Sequence, residues 1–174
     1  MTDFYIKHKK FFLEEDIEFL KTLTATDEMI QNSPVMARHK KTVFVPNGFK
    51  KRYNSIVKEA QEKYNVTIFD PITYEKFIYS NYTAGHYIRS HNDLIEFESP
   101  GARKLTIVAL LNNEFSGGEF RTMVPEQFNA GMVPVELEAG DVIIFPSYVP
   151  HEVCNVSDGS RITLTTWVQG PNWT

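Results

Sequence analysis

The sequence predicts a mainly β fold, a jelly roll or barrel packed against two N-terminal helices, and three observations lead there. Past Val66 the chain breaks into short runs rich in β-branched and aromatic residues, separated by Gly, Pro, Asn or Asp. Before that point two stretches carry apolar residues at three- and four-residue steps instead. No strand–helix–strand alternation survives past Asn65, which argues against a parallel α/β sheet. With 174 residues and no internal repeat, low-complexity tract or long linker, the chain suits a single domain over 1–174. Its predicted division is a helical part over 1–65 and a jelly-roll core over 66–170.

The first helix is read in "FLEEDIEFLKTL" (12–23), where Leu13, Ile17, Leu20 and Leu23 form a stripe and acids stand near the start, as the helix dipole favours. A second follows the Asn47-Gly48 turn, with Tyr53, Ile56, Val57, Ala60 and Tyr64 at helical spacing. Between them lies "SPVMARHKKTVFVPNGF" (33–49), punctuated by Pro and Gly and read as a mobile segment able to fold over a substrate. The strands are then expected in "VTIFD", "YEKFIYSNY", "KLTIVALLN", "GEFRTMV", "VPVELEAGDVIIFP", "HEVCNV" and "RITLTTWVQ".

A formal net charge of −4 argues against a nucleic-acid binder, which presents a basic face to phosphate. The basic run "RHKKTVF" (38–44) reads as a solvated loop or a local substrate contact. The lone cysteine, Cys154, has no internal disulfide partner, and "MTDFYIKHKKFFLEED" lacks the apolar core of a signal peptide. No apolar stretch approaches the ~18 residues that span a bilayer. The expectation is a soluble protein of the cytoplasm, with no membrane partner.

Only five histidines are present, and "HYIRSHNDLIEFESPG" (86–101) sets His91 two positions before Asp93, after an aromatic strand-like run. Such a pair is two thirds of a metal site. The third ligand is sought in "AGDVIIFPSYVPHEVCNV", where a turn, a buried strand and Pro150 precede His151. In a rolled double sheet these distant residues converge at one mouth of the barrel. Two neutral imidazoles and one carboxylate on a face of an octahedron leave positions open, as in non-haem Fe(II) oxygenases. Zinc accepts the same three ligands, so their identity alone does not choose the metal.

Arg161 opens "RITLTTWV", in which strand alternation puts Arg161, Thr163 and Thr165 on one face and Ile162, Leu164 and Thr166 on the other. An inward guanidinium is costly unless an anion meets it, and a carboxylate suits its planar fork.

With these residues in order, the chain resembles the Fe(II)- and 2-oxoglutarate-dependent oxygenases, whose His-x-Asp…His…Arg pattern matches His91-Asn92-Asp93, His151 and Arg161. "YTAGHYIRSHND", "FSGGEF" and "RITLTTWV" resemble elements of the prolyl 4-hydroxylase-like branch, which includes phage and bacterial members. The resemblance runs from about Phe77 to Trp167, roughly half of the chain. It implies a double-stranded β-helix, the cupin-like form of the jelly roll, with His91, Asp93 and His151 holding Fe(II). It also implies Arg161 on the distal carboxylate of 2-oxoglutarate with help from Thr163, Tyr82 touching that cosubstrate, and Trp167 at the substrate mouth. Dioxygen is the other cosubstrate, and ascorbate is a further accessory that the branch implies.

The implied activity is hydroxylation of an unactivated C–H bond, with succinate and carbon dioxide as coproducts and no catalytic side chain beyond the metal ligands. A prolyl residue in a peptide or protein is the leading substrate. The same chemistry on a free amino acid, small metabolite or nucleobase is the alternative, and a non-catalytic cupin-like binding protein is a third class. Two features depart from the branch. Many animal and plant prolyl hydroxylases have lysine where Arg161 stands, and Ile88 follows Gly85 at a position where several relatives have tyrosine.

Overall fold

A computed structural model of the chain describes residues 4–95, 101–123 and 131–173. The elements follow in the order β1 (Ile6–His8), α1 (Glu14–Lys21), β2 (Ala25–Asn32), β3 (Met36–Val43), α2 (Asn47–Tyr64), β4 (Phe77–Thr83) and β5 (Tyr87–His91). Then come β6 (Ala102–Leu110), β7 (Phe115–Gly117), β8 (Phe120–Thr122), β9 (Val133–Pro134), β10 (Val142–Pro146), β11 (His151–Val153) and β12 (Val156–Gly170). All strand pairings among the described residues are antiparallel, and the sheet order is β1-β10-β6-β12-β4-β3-β5-β11-β8-β9. Two strands branch from this path, β2 on β3 and β7 on β12. The sheet curls into the expected jelly roll, and β12 is its centre, bonded in turn to β7, β4 and β6.

Alternation along the central strands separates two apolar layers. Leu105, Ile107 and Ala109 of β6 and Val142 and Ile144 of β10 face the helices, where they meet Ile17 and Leu20 of α1 and Tyr53, Ile56, Val57 and Ala60 of α2. Val108, Ile143 and Phe145 face the barrel interior with Tyr82, Ile88 and Phe120. This double coverage explains why β10 is buried at every position and reads as a continuous apolar run. Asp16 closes the start of α1 by accepting the Leu13 backbone N–H at 2.9 Å, and it pairs with Arg52 of α2 at 2.8 Å. The helix stripes are as expected except for Leu13, which precedes α1 and is exposed.

Three expectations need correction. The N-terminal part is not only helical, because residues 1–65 also supply β1, β2 and β3. The segment 33–49, expected as a lid between helices, contains β3, which pairs with β4 through His39–Val43 and with β5 through Met36–Ala37. It joins the two halves of the roll. The apolar signal is missing because Arg38 and Lys40 of β3 line a cavity instead of the core. Conversely, the expected strand "VTIFD" forms no ladder: Phe69 donates its backbone N–H to the Gln169 carbonyl at 3.0 Å, and the segment runs on to Pro71 as a connection beside β12. No helix among the described residues is long and apolar enough to cross a membrane.

Candidate metal centre

β5 ends at His91 and β11 begins at His151, and the two are direct partners across the antiparallel pair. Their rings lie 4.4 Å apart. Asp93 stands two residues beyond β5, fixed by its backbone N–H donating to the Ser147 carbonyl at 2.8 Å just past the end of β10. Asp93 Oδ1 is 3.5 Å from His91 Nε2, and its Oδ2 is 3.5 Å from His151 Nε2. One candidate ligand atom from each residue lies within 4.8 Å of the other two, the only such cluster of three or more among the described residues. Ligands at right angles, each about 2.1 Å from a shared ion, lie about 3 Å apart, so small side-chain movements bring the set onto one cation.

The surroundings prepare the three groups for that role. His91 Nδ1 is 2.9 Å from the Arg89 carbonyl and His151 Nδ1 is 3.0 Å from the Val149 carbonyl, contacts that place each proton on Nδ1 and leave each Nε2 lone pair facing the centre. Burial pushes the His151 pKa down and keeps its imidazole neutral, as a ligand must be. For His91 burial works in the same direction, but the hydrogen bonds with Asp93 and the Arg89 carbonyl raise its pKa overall. Burial opposes the charge of Asp93, yet His91, His151 and the Trp167 indole outweigh it and hold the carboxyl well below the usual range. Asp93 Oδ2 accepts from Thr106 Oγ1 and from Trp167 Nε1, both at 2.9 Å.

Beside the three ligands a cavity of about 290 Å³ takes in Arg161, Thr163, Tyr82 and Trp167. The alternation expected for β12 is present: Arg161, Thr163, Thr165 and Trp167 line this cavity, while Leu164 and Val168 pack toward the helices. Arg161 is 2% exposed, and among the described residues it has no hydrogen-bonding or ion-pair partner. Its guanidinium sits 5.7 Å from the Tyr82 ring centroid and 5.9 Å from that of Phe115. Space for the Arg161 stem comes from Gly118, at φ +65°, where an added Cβ would lie 3.0 Å from Arg161 Cδ and 2.8 Å from Val156 Cγ2. A buried cation without an acceptor is the physical signature of a missing anion.

Residues 77–169 match the family model of the 2OG-Fe(II) oxygenase superfamily, a span that takes in the three ligands and Arg161. The chain belongs to this superfamily. One relative is a PKHD-type hydroxylase of Psychrobacter sp. (strain PRwf-1), 29% identical over 99 residues, which are 53% of this chain and 37% of the relative. The chain therefore spans well under half the length of that curated relative. Among solved structures, a Pseudomonas putida prolyl-4-hydroxylase aligns with a TM-score of 0.74 at 16% identity, over 98% of this chain and 95% of the other. A Trichoplax adhaerens prolyl hydroxylase, solved with a hypoxia inducible factor oxygen degradation domain peptide fragment, aligns with a TM-score of 0.71 at 14% identity, over 96% and 84%.

The iron and 2-oxoglutarate of this oxygenase superfamily fit the residues present. His91, Asp93 and His151 form a candidate iron site, and Arg161, unpaired among the described residues, is a buried cation in the same cavity whose planar fork would suit a carboxylate.

Several residues of the oxygenase site were not singled out in the sequence. Thr106 and Ser147 are hydrogen-bonded at 3.1 Å behind Asp93, and the inward face of β6 was a readable signal for Thr106. Trp167 does more than line the cavity. Its indole N–H holds Asp93, and the guanidinium of Arg103 lies 3.8 Å from the indole ring centroid. Arg103 is itself held by a bidentate pair with Glu75, both bonds at 2.7 Å. Trp167→Phe keeps the stacked ring and deletes the donor, so Mn(II) affinity is expected to fall by about ten-fold, read by titration calorimetry, with little change in melting temperature.

Proposed function

We propose that this protein is an Fe(II)- and 2-oxoglutarate-dependent dioxygenase that hydroxylates a prolyl residue in a peptide or protein. The observation that carries the reading is the pairing, in one cavity, of a His-Asp-His candidate ligand set with a buried arginine that has no ion pair among the described residues. His91, Asp93 and His151 would hold the iron, and Arg161 with Thr163 would hold the distal carboxylate of 2-oxoglutarate. Tyr82, 3% exposed, would close one side of the cosubstrate's slot. Iron in this site supplies dioxygen activation: one oxygen atom enters the substrate C–H bond, and the other enters succinate as 2-oxoglutarate loses carbon dioxide.

The side chains of this chain perform no proton transfer in that scheme. They bind, orient and exclude water, with Trp167 and Thr106 fixing the carboxylate and the inner apolar layer closing the floor. A peptide substrate is supported by the prolyl hydroxylase neighbours, one of which holds a peptide. The test is mass spectrometry of proline-containing peptides after incubation with Fe(II) and 2-oxoglutarate. A gain of one oxygen on proline, with one succinate per event, is the expected result. Turnover of a free amino acid or nucleobase with no peptide oxidised would replace the substrate and leave the iron chemistry in place.

A further inference from the structure

The cavity holds more positive charge than its metal and cosubstrate can use. Two charges from iron and one from Arg161 are matched by Asp93 and the two carboxylates of 2-oxoglutarate. Asp93 is the only carboxylate among the described residues lining the cavity. Three further cations stand there, all outside the catalytic pattern: Arg38, Lys40 and Arg103. Arg103 is paired with Glu75, whereas among the described residues neither of the other two forms an ion pair.

Arg38 is held only by neutral groups, with Nε donating to Gln31 Oε1 at 2.7 Å and one terminal nitrogen donating to Ser80 Oγ and Tyr82 Oη, both at 3.2 Å. Those bonds aim a guanidinium into the cavity without cancelling its charge. Lys40 sits opposite Ser80 in the β3–β4 ladder, two residues along from Arg38 and on the same face. It is half-buried, and among the described residues it has neither a hydrogen bond nor an ion pair. Its neighbour Lys41 points the other way and pairs with Glu28 at 3.1 Å. Burial and the nearby Arg38 push the Lys40 pKa down, with Asp27 opposing and Arg103 adding to the effect. Two like charges on one strand, without an ion pair among the described residues and beside a cavity, are unfavourable until an anion joins them.

We infer that the substrate carries a carboxylate next to the position that is oxidised, and that Arg38 and Lys40 of β3 receive it. This rests on the oxygenase reading and adds the substrate's charge to it. The carboxylate comes either from an acidic side chain flanking the target residue or from a free chain terminus. β3 is thus a specificity strand: its outer positions close the sheet, and its inner positions select an acidic substrate.

The test uses protein loaded with Mn(II) and 2-oxoglutarate, so that binding is read without turnover. Fluorescein-labelled peptides with aspartates flanking a proline are compared with asparagine versions by anisotropy, each with a free and an amidated C-terminus. The acidic peptide is expected to bind about ten-fold tighter than the asparagine version, the usual worth of one charge-assisted hydrogen bond. Lys40→Gln should remove most of that preference, and Lys40→Arg should restore it. If only the free C-terminus confers the preference, the carboxylate is terminal instead of a side chain. Equal binding of all peptides, no binding by any of them, or a preference that survives Lys40→Gln overturns the inference. Succinate release by the Fe(II) form is measured in parallel. Its absence under every condition would remove the oxygenase reading itself, whereas succinate release without charge preference removes only the role given to Arg38 and Lys40.

Discussion

Asp93→Asn is expected to abolish metal binding and, with it, all succinate formation, while leaving the fold intact. The asparagine oxygen can still accept from Thr106 and Trp167, whose donors now meet Asp93 Oδ2, so no buried donor is orphaned. The new amide nitrogen then takes the place of Asp93 Oδ1, which lies 3.5 Å from His91 Nε2, and can donate to that atom. What is lost is the one carboxylate among the described residues that line this cavity. Removing one member of a buried charged set costs about 3–5 kcal/mol, or about two to four powers of ten in affinity. The check is thermal. Mn(II) should raise the melting temperature of the wild-type protein by mass action and leave that of the variant unchanged. A metal-induced shift of equal size in both would mean that Asp93 is not a ligand.

Arg161→Met should separate cosubstrate binding from metal binding. Methionine fills much of the space beside Gly118 and carries no charge, so the variant avoids burying a cation that has no described partner. Without 2-oxoglutarate it is therefore expected to be at least as stable as the wild type. Its affinity for 2-oxoglutarate should fall by about 2–5 kcal/mol, the cost of truncating one side of a buried charge pair. Mn(II) affinity should stay within about three-fold, because no ligand or ligand-orienting bond is touched. Calorimetric titration of metal first and 2-oxoglutarate second reads both quantities. Retained cosubstrate affinity would remove Arg161 from its assigned place.

Much of the architecture was legible because burial leaves a periodic trace. β10 and β12 declare themselves, the first by an unbroken apolar run and the second by alternation that aims Arg161, Thr163 and Trp167 inward. The candidate ligands were legible for a different reason: three residues of the right chemistry flank strands that a rolled sheet brings together. β3 was not legible, since its inward side chains include Arg38 and Lys40, and a strand facing a polar cavity carries no apolar stripe. β2 was hidden likewise, with most of its residues exposed and its only described pairing to β3. The bonds from Thr106 and Trp167 to one oxygen of Asp93 depend on register between distant strands, and no local pattern encodes that register.

The central place of β12 also governs the order in which this protein can come into being. Among the described residues it is the last strand in chain order, yet it lies between β6 and β4, which share no other described neighbour. Until it emerges from the ribosome, the β1-β10-β6 group and the β4-β3-β5 group each expose an open edge to solvent, with no described strand to join them. Its ladder partners lie far back in the sequence, a pattern that slows the final closing step. A ribosome-stalled chain ending before Val156 would carry both histidines and the aspartate but neither Arg161 nor Trp167. If Arg161 holds the cosubstrate as proposed, such an intermediate could not bind it, and this topology would tie cosubstrate binding to the docking of β12 between β6 and β4.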